Sequence, residues 1–428
     1  MFVDDAVYAE VYYKDRVEQA IAASIEAMFI TLGQSDLTYM QDPVSWDKLV
    51  EMVISHFNKV LGVEINTRSM EVGPPPDFIA RTIALLNAFH DGRKSFTVQE
   101  MSALVGHLSH IATTSRWLTH LLSHLYTSLA SSLQVNKAFE ISSNKSFRDA
   151  LRALDQRDIT SHQRTFHQGA VHRTIHKSKK THFLNATAKE EIRLIKQALT
   201  SPTISLRTPI AHLVPRDSTA DGYGDSSLDA AGGFSEYCRF WWYLEWSAEI
   251  RSRTLRKLRK LRDSKSGKFI SINVLEYASI IINFAAMSLY FRQHPDVSNP
   301  FPLALLFADN ISAEVWAIKG CKCSFIGRAL GRLLCALLIN NPVGLSTDRV
   351  STHDNEIADQ ISRLKSETDS LSFFISLIQS YPQLRGCRRF LPSHALLSGI
   401  TEALLTGKLV DPLALSRIIL SDPGKFTS

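Results

Sequence analysis

Gly224-Asp225-Ser226-Ser227-Leu228-Asp229-Ala230-Ala231-Gly232-Gly233-Phe234 is the stretch on which the fold turns. A carboxylate among small residues, followed by a glycine pair, predicts two strands over 225–243 joined at Gly232-Gly233. Downstream, 268–274 reads as a strand running straight into a helix that continues through 288. Residues 303–308 form an all-apolar strand that closes at Asp309-Asn310. Helical spacing follows at 313–318 and 325–339, then a strand at 343–350 and a helix at 355–364. Strands alternating with helices in this way predict an α/β protein, a sheet covered by helices.

The chain of 428 residues allows two to three domains, each able to bury its own core. With 48 Lys and Arg against 42 Asp and Glu, the net charge of +6 permits a polyanionic partner without demanding one. The five cysteines are too few for a disulfide framework and favour a reducing compartment. The opening MFVDDAVYAE lacks the basic-then-apolar order of a signal peptide. The longest apolar run, 269–291, contains Asn273, Glu276 and Asn283, so it reads as a core element and not as a membrane span. An intracellular protein of the cytoplasm or nucleus, without a membrane partner, is expected.

Four regions follow. Residues 1–140 begin with a short strand (1–5, then 6–11) and helical spacing at 14–30 and 46–60. Residues 61–66 alternate like a strand, and Gly73-Pro74-Pro75-Pro76 stops the hairpin. Two helices follow at 78–89 and 97–133, with Thr97 as N-cap and Glu100 completing a capping box. Residues 141–204 read as a connection: between Ser161 and His182 there are five Lys or Arg, five His and no acid. Residues 205–365 carry the alternating elements, and 366–428 form a helical tail.

Two sets of acids draw attention. Asp4 and Asp5 lie side by side at the turn of an expected hairpin. They are either a solvated acidic turn or ligands for a hard divalent cation such as Mg²⁺. Asp225, Glu276, Asp309 and Asp359 each sit at the edge of a predicted element. Asp309 would serve as a helix cap and Asp359 as a solvated helical residue if neither has a chemical role. Glu276 is different, because a carboxylate among so many apolar neighbours costs free energy unless paired or metal-bound.

Phe2-Val3-Asp4-Asp5 resembles the polymerase signature of reverse transcriptases. Val60-Leu61-Gly62-Val63-Glu64-Ile65-Asn66 with the Gly-Pro-Pro-Pro stop is similar to their palm hairpin leaving for the thumb, and Leu104-Val105-Gly106-His107-Leu108 to the start of the connection helices. The family completes its two-metal polymerase site with a third carboxylate well upstream. Only Met1 precedes Phe2 here, so DNA synthesis by this chain is not expected.

The order strand-Asp225, helix-Glu276, strand-end-Asp309, late-helix-Asp359 resembles the ribonuclease H domain that follows reverse transcriptase in retrotransposon Pol polyproteins. Asn273-Val274-Leu275-Glu276, Ala308-Asp309-Asn310 and Asn355-Glu356-Ile357-Ala358-Asp359-Gln360-Ile361-Ser362-Arg363 carry the likeness. It implies a partial palm and thumb followed by a ribonuclease H-like mixed sheet. It further implies two Mg²⁺ ions, with Mn²⁺ as the alternative, and hydrolysis of the RNA strand of an RNA–DNA hybrid. By that likeness Asp225 bridges both ions, Glu276 and Asp309 complete one site, and Asp359 the other. The family often carries a proton-shuttling histidine about ten positions before the last aspartate. Arg349 stands there, and His353 is the nearest histidine. The rival expectation is a decayed or co-opted relic that binds nucleic acid without catalysis.

Arg251, Arg253, Arg256, Lys257, Arg259, Lys260 and Arg262 crowd one segment threaded with leucines. They read as a phosphate-gripping helix, a solvated face or a nuclear-import segment. Lys177, Lys179 and Lys180, beside the histidines of the connection, would add to polyanion affinity. His162, His167, His172, His176 and His182 come without cysteines and argue against zinc. Cys321-Lys322-Cys323 lacks a second pair, and Trp241, Trp242 and Trp246 are expected to pack against the sheet.

Overall fold

The computed structural model describes residues 19, 22–23, 26, 57–60, 62–156, 158–258, 269–351, 353–364 and 370–427. Asp4, Asp5, Arg259, Lys260 and Arg262 lie outside the described residues, and Arg256 and Lys257 are described in their backbone alone. The chain divides into two units, Met1–Glu71 and Val72–Ser428.

In the first unit Phe57–Val60 pairs antiparallel with Val63–Asn66. Gly62 in the turn adopts a φ of 78°, which glycine reaches without steric cost. The helix expected over 46–60 therefore does not include its last four residues, where cross-strand pairing takes up the backbone groups instead.

The second unit opens with helices at Pro76–Ala88 and Val98–Thr114. The latter starts on the expected capping box: Glu100 N donates to Thr97 Oγ1, and Thr97 N donates back to Glu100 Oε2 at 2.8 Å. The single helix expected over 97–133 is interrupted by a 3₁₀ turn, Arg116–Leu121, before Ser123–Ser143 continues. Burial explains the break, since Trp117, Leu118 and Leu121 all turn into the core there. The connection is itself folded into helices at Lys145–Leu154, Ser161–Lys177 and Ala186–Thr200. Ala188, Ile192, Ile195 and Leu199 recur at helical spacing and enter the same core as Leu104, Leu108 and Ile111.

A seven-stranded mixed sheet follows. Its strands are β1 (Ala220–Ser226), β2 (Ala230–Ser235), β3 (Phe240–Glu245), β4 (Leu303–Ala308), β5 (Gly344–Arg349), β6 (Arg388–Leu391) and β7 (Lys425–Thr427). They lie in the order β5-β4-β1-β2-β3-β6-β7. The first three form an antiparallel meander, β4 runs parallel to β1, and β5 parallel to β4. The helices are α1 (Ala248–Leu258), α2 (Ile272–Gln293), α3 (Ile311–Lys319), α4 (Phe325–Leu338), α5 (Glu356–Ser362), α6 (Ser370–Ser380), α7 (His394–Thr406) and α8 (Pro412–Ser421). Strand alternation sends Trp242 into the core shared with α2, α4 and α7, and Trp241 to the opposite face, where it stacks on Phe374 of α6 at 4.1 Å. Helices thus cover both faces.

Three expectations need correction. The glycine pair does not join two strands but lies inside β2, in a three-strand meander. A Cβ at Gly232 would come 2.3 Å from Ile361 Cγ2 of α5, and one at Gly233 2.6 Å from the Tyr223 carbonyl. Close packing, and not a turn, requires glycine there. The strand expected over 268–274 is absent among the described residues, because α2 already begins at Ile272. That helix is buried on nearly every side, so its apolar residues fall all round it and periodicity carries no signal. It is long and apolar enough to cross a membrane, yet 94% of its apolar window is buried within the protein. Finally, the tail is not only helical: β6 and β7 extend the main sheet beyond β3.

Candidate metal centre

Asp225 is the penultimate residue of β1, and Asp309 immediately follows β4. The parallel register pairs Tyr223 with Phe307, which sets residue 309 level with residue 225 on the neighbouring strand. Glu276 comes from the first turns of α2. Small residues on β1 admit that helix closely: a Cβ at Gly224 would meet Ser279 Oγ at 2.7 Å. One ligand oxygen each from Asp225, Glu276 and Asp309 lies within 4.8 Å of the others.

Hydroxyls and backbone amides hold this group. Ser226 N donates to Glu276 Oε1 at 3.2 Å, and Ser226 Oγ to the Leu275 carbonyl at 3.0 Å, tying the strand end to α2. On the other side Ser362, the last residue of α5, places its Oγ 2.5 Å from Asp225 Oδ2. Ser227 Oγ lies 2.6 Å from the Ser362 carbonyl, and Asn355 Nδ2 donates to the Gly224 carbonyl at 3.1 Å. Strand, α2 and α5 are thus fixed against one another around the acids.

The electrostatics are unfavourable without a cation. Burial pushes the Asp225 carboxyl up to about 6, with the Asp309 and Asp359 charges adding to the rise and the Ser362 hydrogen bond opposing it. Glu276 is raised well above the usual carboxylate range, first by burial and then by Asp225 and Asp309. Its Oε2 is buried and has no hydrogen-bond partner. A buried, orphaned carboxylate oxygen facing two further carboxylates fits a hard divalent cation, whose preferred ligands are carboxylate oxygens. This acidic triad could bind a metal ion.

Asp359 stands apart from the triad but within its electrostatic reach, since its charge acts on both Asp225 and Glu276. Arg363 donates to Asp359 Oδ1 through Nε at 2.8 Å and Nη2 at 2.6 Å. His353 and Arg349 are exposed. Asp354 accepts from Ser351 Oγ at 2.6 Å and does not cap α5.

The basic segment is partly committed elsewhere. Arg251 pairs with Glu245 at 3.1 Å, and Arg253 bonds Glu249 and the Leu405 carbonyl. Lys177, Lys179 and Lys180 are exposed. His172 and His176 stack at 3.9 Å, sharing a helical face as their spacing predicts. Cys321 is buried and Cys323 exposed, both as free thiols.

The sequence reading did not assign Ser226, Ser227, Asn355 or Ser362 any role. All four lie within the quoted motifs, yet serine and asparagine there carry no signal without the spatial partner. No protein-family model matches the chain, and no curated protein matches it.

Proposed function

We propose that this chain is a retroelement-derived, Mg²⁺-dependent nuclease that hydrolyses the RNA strand of RNA–DNA hybrids. The observation that carries the reading is the meeting of Asp225, Glu276 and Asp309, three residues spread over 85 positions, at the ends of two neighbouring parallel strands. The mixed sheet with helices on both faces, and the four motifs in their order, support it.

Asp225, Glu276 and Asp309 would hold one ion, and Asp225 with Asp359 a second. Bound there, the ions would supply an activated water and neutralise charge on the leaving 3′ oxygen. The chain's own contribution is positional. Ser362 fixes one oxygen of Asp225, and the Ser226 amide fixes one oxygen of Glu276, leaving Glu276 Oε2 without a hydrogen-bond partner, where it would serve as a ligand. Recruiting Asp359 requires Arg363 to release it. That side chain is 68% exposed and free to swing into solvent.

The test is cleavage of a labelled hybrid by the purified protein with Mg²⁺. The Asp225→Asn variant should lose cleavage and still bind the hybrid in EDTA. Product formation equal to that variant's background would instead favour a nucleic-acid-binding relic.

A further inference from the structure

We propose that the face formed by the Ser123–Ser143 helix, the Ser161–Lys177 helix and the Thr181–Phe183 strand is a docking surface for single-stranded nucleic acid. It is separate from the carboxylate cluster and does not depend on the nuclease reading.

Charge is the first observation. Residues 137–183 hold ten Lys and Arg against four Asp and Glu, and the 22 positions from Ser161 to His182 hold no acid. Burial pushes His176 and His182 below the ordinary imidazole range, so these two add little charge at neutral pH. The cationic character rests on lysine and arginine.

Exposed aromatic rings are the second. Phe183 is 76% exposed, Phe166 61% and Phe139 46%. Lys180 Nζ stands 4.8 Å from the centre of the Phe139 ring, so an ammonium and a ring face are presented together. Aromatic faces alongside cations are what an unpaired strand uses, stacking its bases and neutralising its phosphates.

The arrangement is built, not fortuitous. Asn136, fully buried, donates from Nδ2 to the Ile175 carbonyl at 3.1 Å and lies with Oδ1 2.9 Å from His182 Nε2. One side chain therefore pins both ends of the loop that carries Lys179 and Lys180. His182 points inward toward Phe96, and strand alternation turns Phe183 outward. The Ser161–Lys177 helix itself has no buried residue, although it is 17 residues long.

An anionic membrane is the competing occupant, and the helix argues against it. Phe166 and Ile175 are nine residues apart, which places them about 180° apart around the axis. A surface-seeking helix needs its apolar residues on one side.

The test uses the full chain in EDTA, with fluorescein-labelled oligo(dT) and oligo(U) followed by anisotropy across a salt series. Affinity should fall steeply with salt. Replacing Lys177, Lys179 and Lys180 by Gln should reduce the slope of log K against log salt by about 2. Phe183→Ala should weaken binding about fivefold or more without changing that slope. Unchanged slope in the lysine variant, unchanged affinity in Phe183→Ala, or equally tight capture by phosphatidylserine vesicles would each overturn the proposal. Because no Mg²⁺ is present, these results are independent of hybrid cleavage.

Discussion

Ser362 Oγ lies 2.5 Å from Asp225 Oδ2, although 137 residues separate them in the chain. The serine closes α5 and the aspartate stands one residue before the end of β1, so this one hydrogen bond couples a helix on one face of the sheet to the carboxylate at the strand end. Ser362 is fully buried, and no solvent competes for the bond.

Ser362→Ala should therefore weaken metal binding and cleavage by about 10–100-fold, as loss of an outer-shell partner does. The Mg²⁺ concentration at half-maximal rate should rise, and Ser362→Thr, which keeps the hydroxyl, should restore most of it. A rate curve unchanged in its Mg²⁺ dependence would remove Ser362 from the site.

Raised carboxyls make a signed prediction for the metal-free protein. Asp225 in the fold titrates at about 6 against 3.8 ordinarily, so the unfolded chain releases this proton first as pH rises. Its contribution to stability is present below about pH 4 and is lost as pH rises toward 6, a change of about 3 kcal/mol. In EDTA, the stability of Asp225→Asn relative to the parent should grow by that order across the window, read from urea midpoints. Adding Mg²⁺ or Mn²⁺ at pH 7.5 should raise the parent's melting temperature and leave that of Asp225→Asn nearly unmoved.

Arg363 occupies Asp359 through two hydrogen bonds. Arg363→Ala should change stability by less than about 1 kcal/mol, since the arginine is largely exposed. It should also lower the Mg²⁺ concentration needed for half-maximal cleavage, because the fourth carboxylate no longer has to be released. A higher requirement would mean that the arginine serves the active arrangement.

Two glycines should respond in opposite directions. Gly232→Ala drives a Cβ into Ile361 at 2.3 Å and should cost about 1–3 kcal/mol. Gly106, within the Val98–Thr114 helix, has nothing within 4 Å of its added Cβ, and Gly106→Ala should stabilise by about 0.5–1 kcal/mol. Denaturant melts of the two variants check both signs.

Much of the architecture is legible in order and type. The 303–308 strand, the helices near 313–318 and 325–339, and the Thr97 capping box all form close to where spacing and cap chemistry place them. Errors fall where local patterns are ambiguous. A buried helix such as α2 has no polar face to mark its period, and a glycine pair signals a turn and tight packing alike. The 186–200 helix is obscured for another reason: its apolar spacing follows the long polar stretch 161–182, whose composition marks a connection.

The acids themselves were visible along the chain, because carboxylates at the ends of apolar elements are costly and stand out. What lies around them was not. Ser362 reaches Asp225, Asn136 pins the lysine-bearing loop, and Glu276 Oε2 is left unpartnered only because strands and helices distant in sequence pack against one another. Residue type and spacing fix which groups are available, whereas a hydrogen bond depends on separations of a few ångströms that only the packed chain decides.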